Sequence, residues 1–153
     1  MDFEQEVDLD EIDAQRHEIE DEQKAEDEAI EVIETLRRAA LYIDAHGWYR
    51  GDYFNDGTGH HDDPFPPACA LGAIGMALVG DRDTVRFERV LDEDDTVNQF
   101  ARVLDWESWV LGRKPVEIIA DWNDEQALDS AEVASMLRAA AEQLASPNPI
   151  VRQ

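Results

Sequence analysis

Apolar side chains recur along most of this chain at the alternating three-and-four spacing of an α-helix. Ala29, Ile33, Leu36, Ala40 and Ile43 are separated by four, three, four and three residues, which places them on one face and predicts a helix over residues 25–46. Gly47 follows as the residue past the helix end that can adopt the left-handed stop. The next run, residues 68–79, is small and apolar on every side, the pattern of a buried central helix, with Gly72 and Gly75 letting neighbouring backbones approach closely. Asp81 or Asp83 offers a cap for a third helix carrying Val85, Phe87, Val90 and Leu91. A fourth begins near Asp95, uses Val97, Phe100, Ala101, Leu104 and Trp106 to Val110, and ends before Gly112. Pro115 restarts the chain in a short helix with Val116, Ile118, Ile119 and Trp122, which Asn123 and Asp124 break. The last starts at Asp129 or Ser130, with Glu132 as capping-box partner and a stripe of Val133, Met136, Leu137, Ala140 and Leu144. Pro147 and Pro149 stop it.

No segment alternates at period two over a strand's length. The expected fold is therefore all-α, a compact bundle of five or six helices around a buried apolar central helix, with an acidic N-terminal arm. The expected boundaries are an arm over residues 1–28, disordered or a frayed helix, one helical domain over 29–146, and a tail over 147–153.

Charge separates the arm from the body. The chain has 153 residues and a formal net charge of −24. Residues 1–34 hold 16 acids against Arg16 and Lys24, a net of −14, so the other 119 residues carry only −10. The arm has few large apolar residues, Phe3, Val7, Leu9, Ile12 and Ile19, too few to offset ordering entropy by burial within itself. Interleaved with acids, Phe3, Val7, Leu9 and Ile12 suit an arm that orders against a basic partner protein. Direct binding to nucleic acid is excluded by sign, whereas mimicry of nucleic acid is an alternative if the carboxylates sit on a rigid helix. The longest apolar run falls short of the ~18 to 20 residues of a membrane span, and no basic-then-apolar leader is visible. A single cysteine, Cys69, excludes an internal disulfide. A soluble cytoplasmic protein without a cofactor is the expectation.

Candidate chemistry concentrates in residues 48–67, a loop of three glycines and three prolines without period. Asp52, Asp56, Gly57, His60 and Asp63 occupy positions 1, 5, 6, 9 and 12 of a calcium loop, but position 3 is Phe54 and position 12 is a short Asp. Asp52, Asp56, His60, His61 and Asp63 form the weak metal candidate, by the same token open to a transition metal through the paired imidazoles. The bland reading is a hydrated Asp/Gly turn. Cys69 opens the apolar helix, where burial as a small hydrophobe is favoured over nucleophilic use. No phosphate-binding glycine loop, nucleophile elbow or His-Glu-x-x-His helix is present, so the reading leans to a non-enzymatic accessory protein, with a metal-binding protein or enzyme centred on residues 48–69 as a further alternative.

Leu36-Arg-Arg-Ala-Ala40 leading to Gly47-Trp48 and Gly51, Cys69-Ala-Leu-Gly-Ala73, Trp122-Asn-Asp124 and the Glu132-Val133 helix with Leu137-Arg-Ala-Ala140 appear in that order. Together they resemble a small helical family of unknown function carried by high-GC Gram-positive bacteria and their phages. The resemblance covers about residues 30–145 and leaves out the arm. It implies no activity, but it places Trp48, the start of the Cys69 helix and residues 122–124 in a shared framework. It also makes the His60-His61 loop look like an insertion. Trp48, Tyr53, Trp122, Asn123 and Asp124 are the candidate pocket, against the plainer reading in which Trp48 plugs the core and Asn123 or Asp124 caps a helix junction.

Overall fold

The computed structural model describes residues 9–54, 64–80 and 84–146. Seven α-helices lie among them: α1 (Leu9–His46), α2 (Ala70–Val79), α3 (Thr84–Glu93), α4 (Asp95–Leu104), α5 (Trp106–Val110), α6 (Pro115–Asp121) and α7 (Ser130–Ala145). A single π-helical turn, Trp122–Gln126, extends α6. The only pairings of extended type among the described residues are two isolated bridges, Trp48 to Ala68 and Phe54 to Ala68. The fold is all-α, as the apolar spacing predicts.

α1 packs against α7 and α2, and α4 packs against α6. From α1 the core receives Val32, Ile33, Leu36, Ala39, Ala40 and Ile43. α7 answers with Val133, Ala134, Leu137, Ala140 and Ala141, while Met136 and Leu144 of the expected stripe are partly buried. The small residues Ala39, Ala40, Ala140 and Ala141 are fully buried among them. α2 is buried from Ala70 through Met76, as expected of a helix apolar on all sides.

Gly47 has φ of 97° and its amide closes the last turn of α1 on the Ile43 carbonyl at 2.9 Å. Pro115 stands at the first position of α6, and Asp129 caps α7 by accepting from the Glu132 amide at 2.8 Å.

Four details depart from the apolar pattern. α1 begins at Leu9, not near Ala25. In its added turns Leu9, Ile12 and Ile19 do not continue the buried stripe, and residues of good intrinsic propensity such as Glu, Gln, Lys and Arg propagate a helix whose nucleus is anchored further on. The expected helix over 95–110 is divided at Asp105, whose backbone leaves the helical region and whose carboxylate caps α5 by accepting from the Ser108 amide at 3.1 Å. That break supplies the seventh helix. It also leaves α5 with no fully buried residue and Trp106 and Val110 more than half exposed, while Trp109 stays partly buried against the core. Finally, Asn123 and Asp124 do not break the chain after α6. They ride in the π turn, which the Ala127 amide closes onto the Trp122 carbonyl at 2.9 Å.

Gly72 and Gly75 both work by absence of a side chain, in different ways. A β-carbon at Gly72 would run into the backbone carbonyl of Tyr53, the close backbone approach expected. At Gly75 the intruder is the ring of Phe87, a side chain instead of a backbone. That ring is 2% exposed and held between Tyr53 and Phe54, with ring centroids 5.5 and 5.3 Å away, so it has nowhere to swing. Gly75→Ala should cost about 1–3 kcal/mol as an overpacking substitution, despite the better helix propensity of alanine. Urea denaturation monitored by circular dichroism reads it, and an unchanged or raised midpoint would show that α3 can move aside.

Candidate functional site: an asparagine hub beneath a small cavity

The chain leaving α1 and the chain entering α2 run side by side before the π turn reaches them. The Tyr49 amide donates to the Ala68 carbonyl at 3.0 Å, the Ala68 amide to the Gly47 carbonyl at 3.2 Å, and the Cys69 amide to the Tyr53 carbonyl at 2.9 Å. These bonds satisfy backbone groups that a connection would otherwise bury unpaired. Into this junction the π turn inserts Asn123, which is 1% exposed.

Asn123 uses both ends of its amide. Its Oδ1 accepts from the Trp48 indole Nε1 at 2.7 Å and from the Ala70 backbone amide at 3.0 Å. Its Nδ2 donates to the Tyr49 carbonyl at 3.3 Å and to Asp124 Oδ1 at 3.0 Å. Ala70 is the first residue of α2, so Asn123 does act as a cap, on a helix 53 residues away in sequence. Asp124 continues the network, accepting from the Gly51 amide at 2.8 Å, where φ of 107° requires the glycine. Arg50 donates to the Ala127 carbonyl and lies over the Trp48 ring, 5.0 Å from its centroid.

Of the candidate pocket, the structure brings Trp48, Asn123 and Asp124 into one hydrogen-bonded group. Trp122 turns the other way, 7% exposed and edge-on to Phe100 at 5.9 Å between ring centroids. Tyr53 borders a cavity of about 190 Å³ with Gly51, Asp52, Cys69, Asn123 and Asp124. This is below the ~300–1,000 Å³ of small-molecule and cofactor sites. Burial, then the carboxylate of Glu88, holds the Tyr53 phenol above its usual range.

Cys69 Sγ accepts from the Gly72 amide at 3.3 Å, making the thiol the N-cap of α2. Burial pushes its pKa up to about 12, against the lowering effect of the Gly72 and Leu71 amides. Desolvation therefore outweighs the helix N-terminus, and the thiol is neutral at physiological pH.

A second cavity, about 500 Å³, lies where the end of α3, the start of α4 and the start of α6 meet, bordered by Asp92, Glu93, Asp94, Asp95 and Lys114. Asp94 is committed there as the cap of α4, accepting from the Thr96 amide at 2.7 Å.

Of the metal candidates, Asp56, His60, His61 and Asp63 lie outside the described residues; Asp52 is exposed at the first cavity and accepts from the Tyr53 amide at 2.7 Å. Among the described residues no three His, Cys, Asp or Glu side chains are placed to hold a metal ion. Of the arm candidates, Phe3 and Val7 also lie outside the described residues, while Leu9 and Ile12 fall in the first turns of α1. No described helix is long and apolar enough to cross a membrane. Sequence reasoning missed Arg50 and Gly51 as partners of the π turn, although the glycine that follows Trp48 by three residues was the available signal.

The fold and this junction define a small helical domain whose connecting segments are tied by one buried amide. The chain belongs to the family of unknown function DUF6197, whose profile matches residues 27–143. No curated protein and no solved structure matches it.

Two outcomes follow from the geometry. Asn123→Ala leaves the buried Ala70 amide and the Trp48 indole without their acceptor, at about 1–3 kcal/mol each, so the denaturation midpoint should fall sharply. Asn123→Asp keeps the acceptor but sets a carboxylate against the Tyr49 carbonyl and Asp124, and should also destabilise at neutral pH; full stability of either variant would show that the hub is dispensable. For Cys69, the folded pKa lies above the unfolded one. Its contribution is complete below about pH 9 and is lost as pH rises towards 12. Stability should decline by up to about 1.4 kcal/mol per pH unit above pH 9. Cys69→Ser retains a capping oxygen and should flatten that decline, and alkylation of native Cys69 at pH 8 should be no faster than unfolding.

Proposed function

We propose that this protein is a non-enzymatic protein-binding module that uses the N-terminal half of α1 to engage a basic surface on its partner. The observation that carries this reading is that all 19 residues from 13 to 31 are exposed, while their helix continues directly into the core at Val32. They hold nine acids and two bases, a net charge of −7. At 1.5 Å per residue the exposed stretch is about 28 Å long. Such a rod offers a concentrated field for steering a cationic partner and a backbone already ordered for binding it.

Neutralising the rod in the full chain, with Glu18, Glu20, Glu22, Glu26, Glu28 and Glu31 all changed to Gln, should leave the body's unfolding midpoint nearly unchanged and remove partner capture from the native host. Equal capture by both forms sinks this reading.

A second reading, a mimic of nucleic acid acting on a nucleic-acid-binding enzyme, gains from the helical course of α1. Nine carboxylates over about 28 Å give one per ~3 Å, near the ~3.4 Å phosphate spacing of a single strand. Their directions favour the first reading, since at about 100° per residue they spread around the helix and do not form one row. Competition with duplex DNA for a basic enzyme is the discriminating measurement.

A further inference from the structure

The exposed half of α1 is not uniformly polar. Ile19, Ile30 and Leu41 are 66%, 55% and 60% exposed, and they follow one another at intervals of eleven residues. Eleven residues are close to three full turns, so the three side chains form one line about 33 Å long. The line does not face the core, which takes Val32, Leu36, Ala39 and Ile43 from a different side of the same helix. Residues 13–31 place all nine carboxylates outside a sector of about 100° that contains Ile19 and Ile30. Glu22 and Glu26 border that sector on one side, Glu20 and Asp27 on the other. Arg16 and Gln23 fall within it.

We infer that this line seats an amphipathic helix of the partner, whose apolar seam lies on Ile19, Ile30 and Leu41 and whose flanking Lys and Arg side chains meet the bordering carboxylates. The inference rests on the reading of α1 as the binding element and specifies what it binds. Charge decides the occupant. A second copy would set a −24 chain against itself and bring like carboxylates together on both flanks, whereas a basic helix is complementary along residues 13–31, which carry Ile19 and Ile30; beside Leu41 the neighbours are Arg37 and Arg38, so the apolar contact there is made without charge pairing. Apolar contact every third turn is sparse for a coiled coil. The flanking charges therefore supply steering and registry, and the three aliphatic side chains select a helix with a seam over any other cationic segment.

The probe is a pair of synthetic Lys/Arg-rich peptides of identical composition, each about 22 residues, enough to span the line as a helix. In one the leucines recur at three, four and four residues; in the other they are dispersed around the helix. The full chain should bind the first about tenfold or more tightly than the second, because only the first buries aliphatic area on Ile19 and Ile30. Ile19→Ser with Ile30→Ser, both at exposed positions outside the core, should abolish that preference while both peptides keep weak binding that falls with salt. Equal affinity for the two peptides, or a preference that survives the double substitution, would falsify the seat while leaving the acidic-arm reading in place. Binding of neither peptide at low salt would overturn both. A dimer in sedimentation equilibrium that dissociates on the double substitution would assign the line to a second copy and overturn the proposal.

Discussion

Asn123 has one acceptor oxygen and two donor hydrogens at the end of a short side chain, and the junction between α1, α2 and the π turn requires all of them. The Trp48 indole and the Ala70 amide need an acceptor, while the Tyr49 carbonyl and Asp124 need donors. Aspartate cannot donate when ionised, and leucine of similar volume can do neither. The π turn carries this side chain into the junction. From adjacent positions of that turn Trp122 goes to Phe100 and Asn123 to Trp48.

The rest of the junction is packed closely around the hub. Gly72 lets the Tyr53 carbonyl close on α2, the Cys69 amide bonds that carbonyl, and the thiol caps the helix it begins. Phe87 then fills the space over Gly75, under Tyr53 and Phe54. Among the described residues no buried side-chain nitrogen or oxygen lacks a partner. The polar groups at the base of the small cavity are thus committed to holding the chain, and the geometry around Trp48, Cys69 and Asn123 is structural.

Much of this was legible from spacing. The α1 stripe, the all-apolar α2, the stop at Gly47, the proline at the start of α6 and the Asp129 cap each carry a local signal that needs no tertiary information. The exceptions have physical reasons. Trp106, Trp109 and Val110 fall on the opposite face of a helix continued from Val97, and the chain changes phase there because the Asp105 carboxylate captures the Ser108 amide, a local bond that the expected single helix leaves out. A Trp-Asn-Asp sequence reads as a helix breaker because Asn and Asp usually favour turns, and only the donors waiting 75 and 53 residues away make a π turn the better solution. The start of α1 was hidden because Leu9, Ile12 and Ile19 do not extend the stripe that marks the buried half of the helix.

That hidden segment shows how the two halves of α1 depend on each other. A free helix of about twenty residues with like charges four apart, as at Glu18 and Glu22, Glu22 and Glu26, or Asp27 and Glu31, is weakly stable in water. Glu20 with Lys24 and Lys24 with Glu28 offset only part of that repulsion. Here the nucleation cost is already met by the half packed on α7 and α2, so each further turn needs only propagation. Acidic side chains near the N-terminus also complement the helix dipole. A cationic surface laid along the rod relieves the remaining repulsion and so strengthens the same helix that it binds. Charge density and helical order are therefore coupled along α1, with the packed body serving as the anchor that makes the coupling possible.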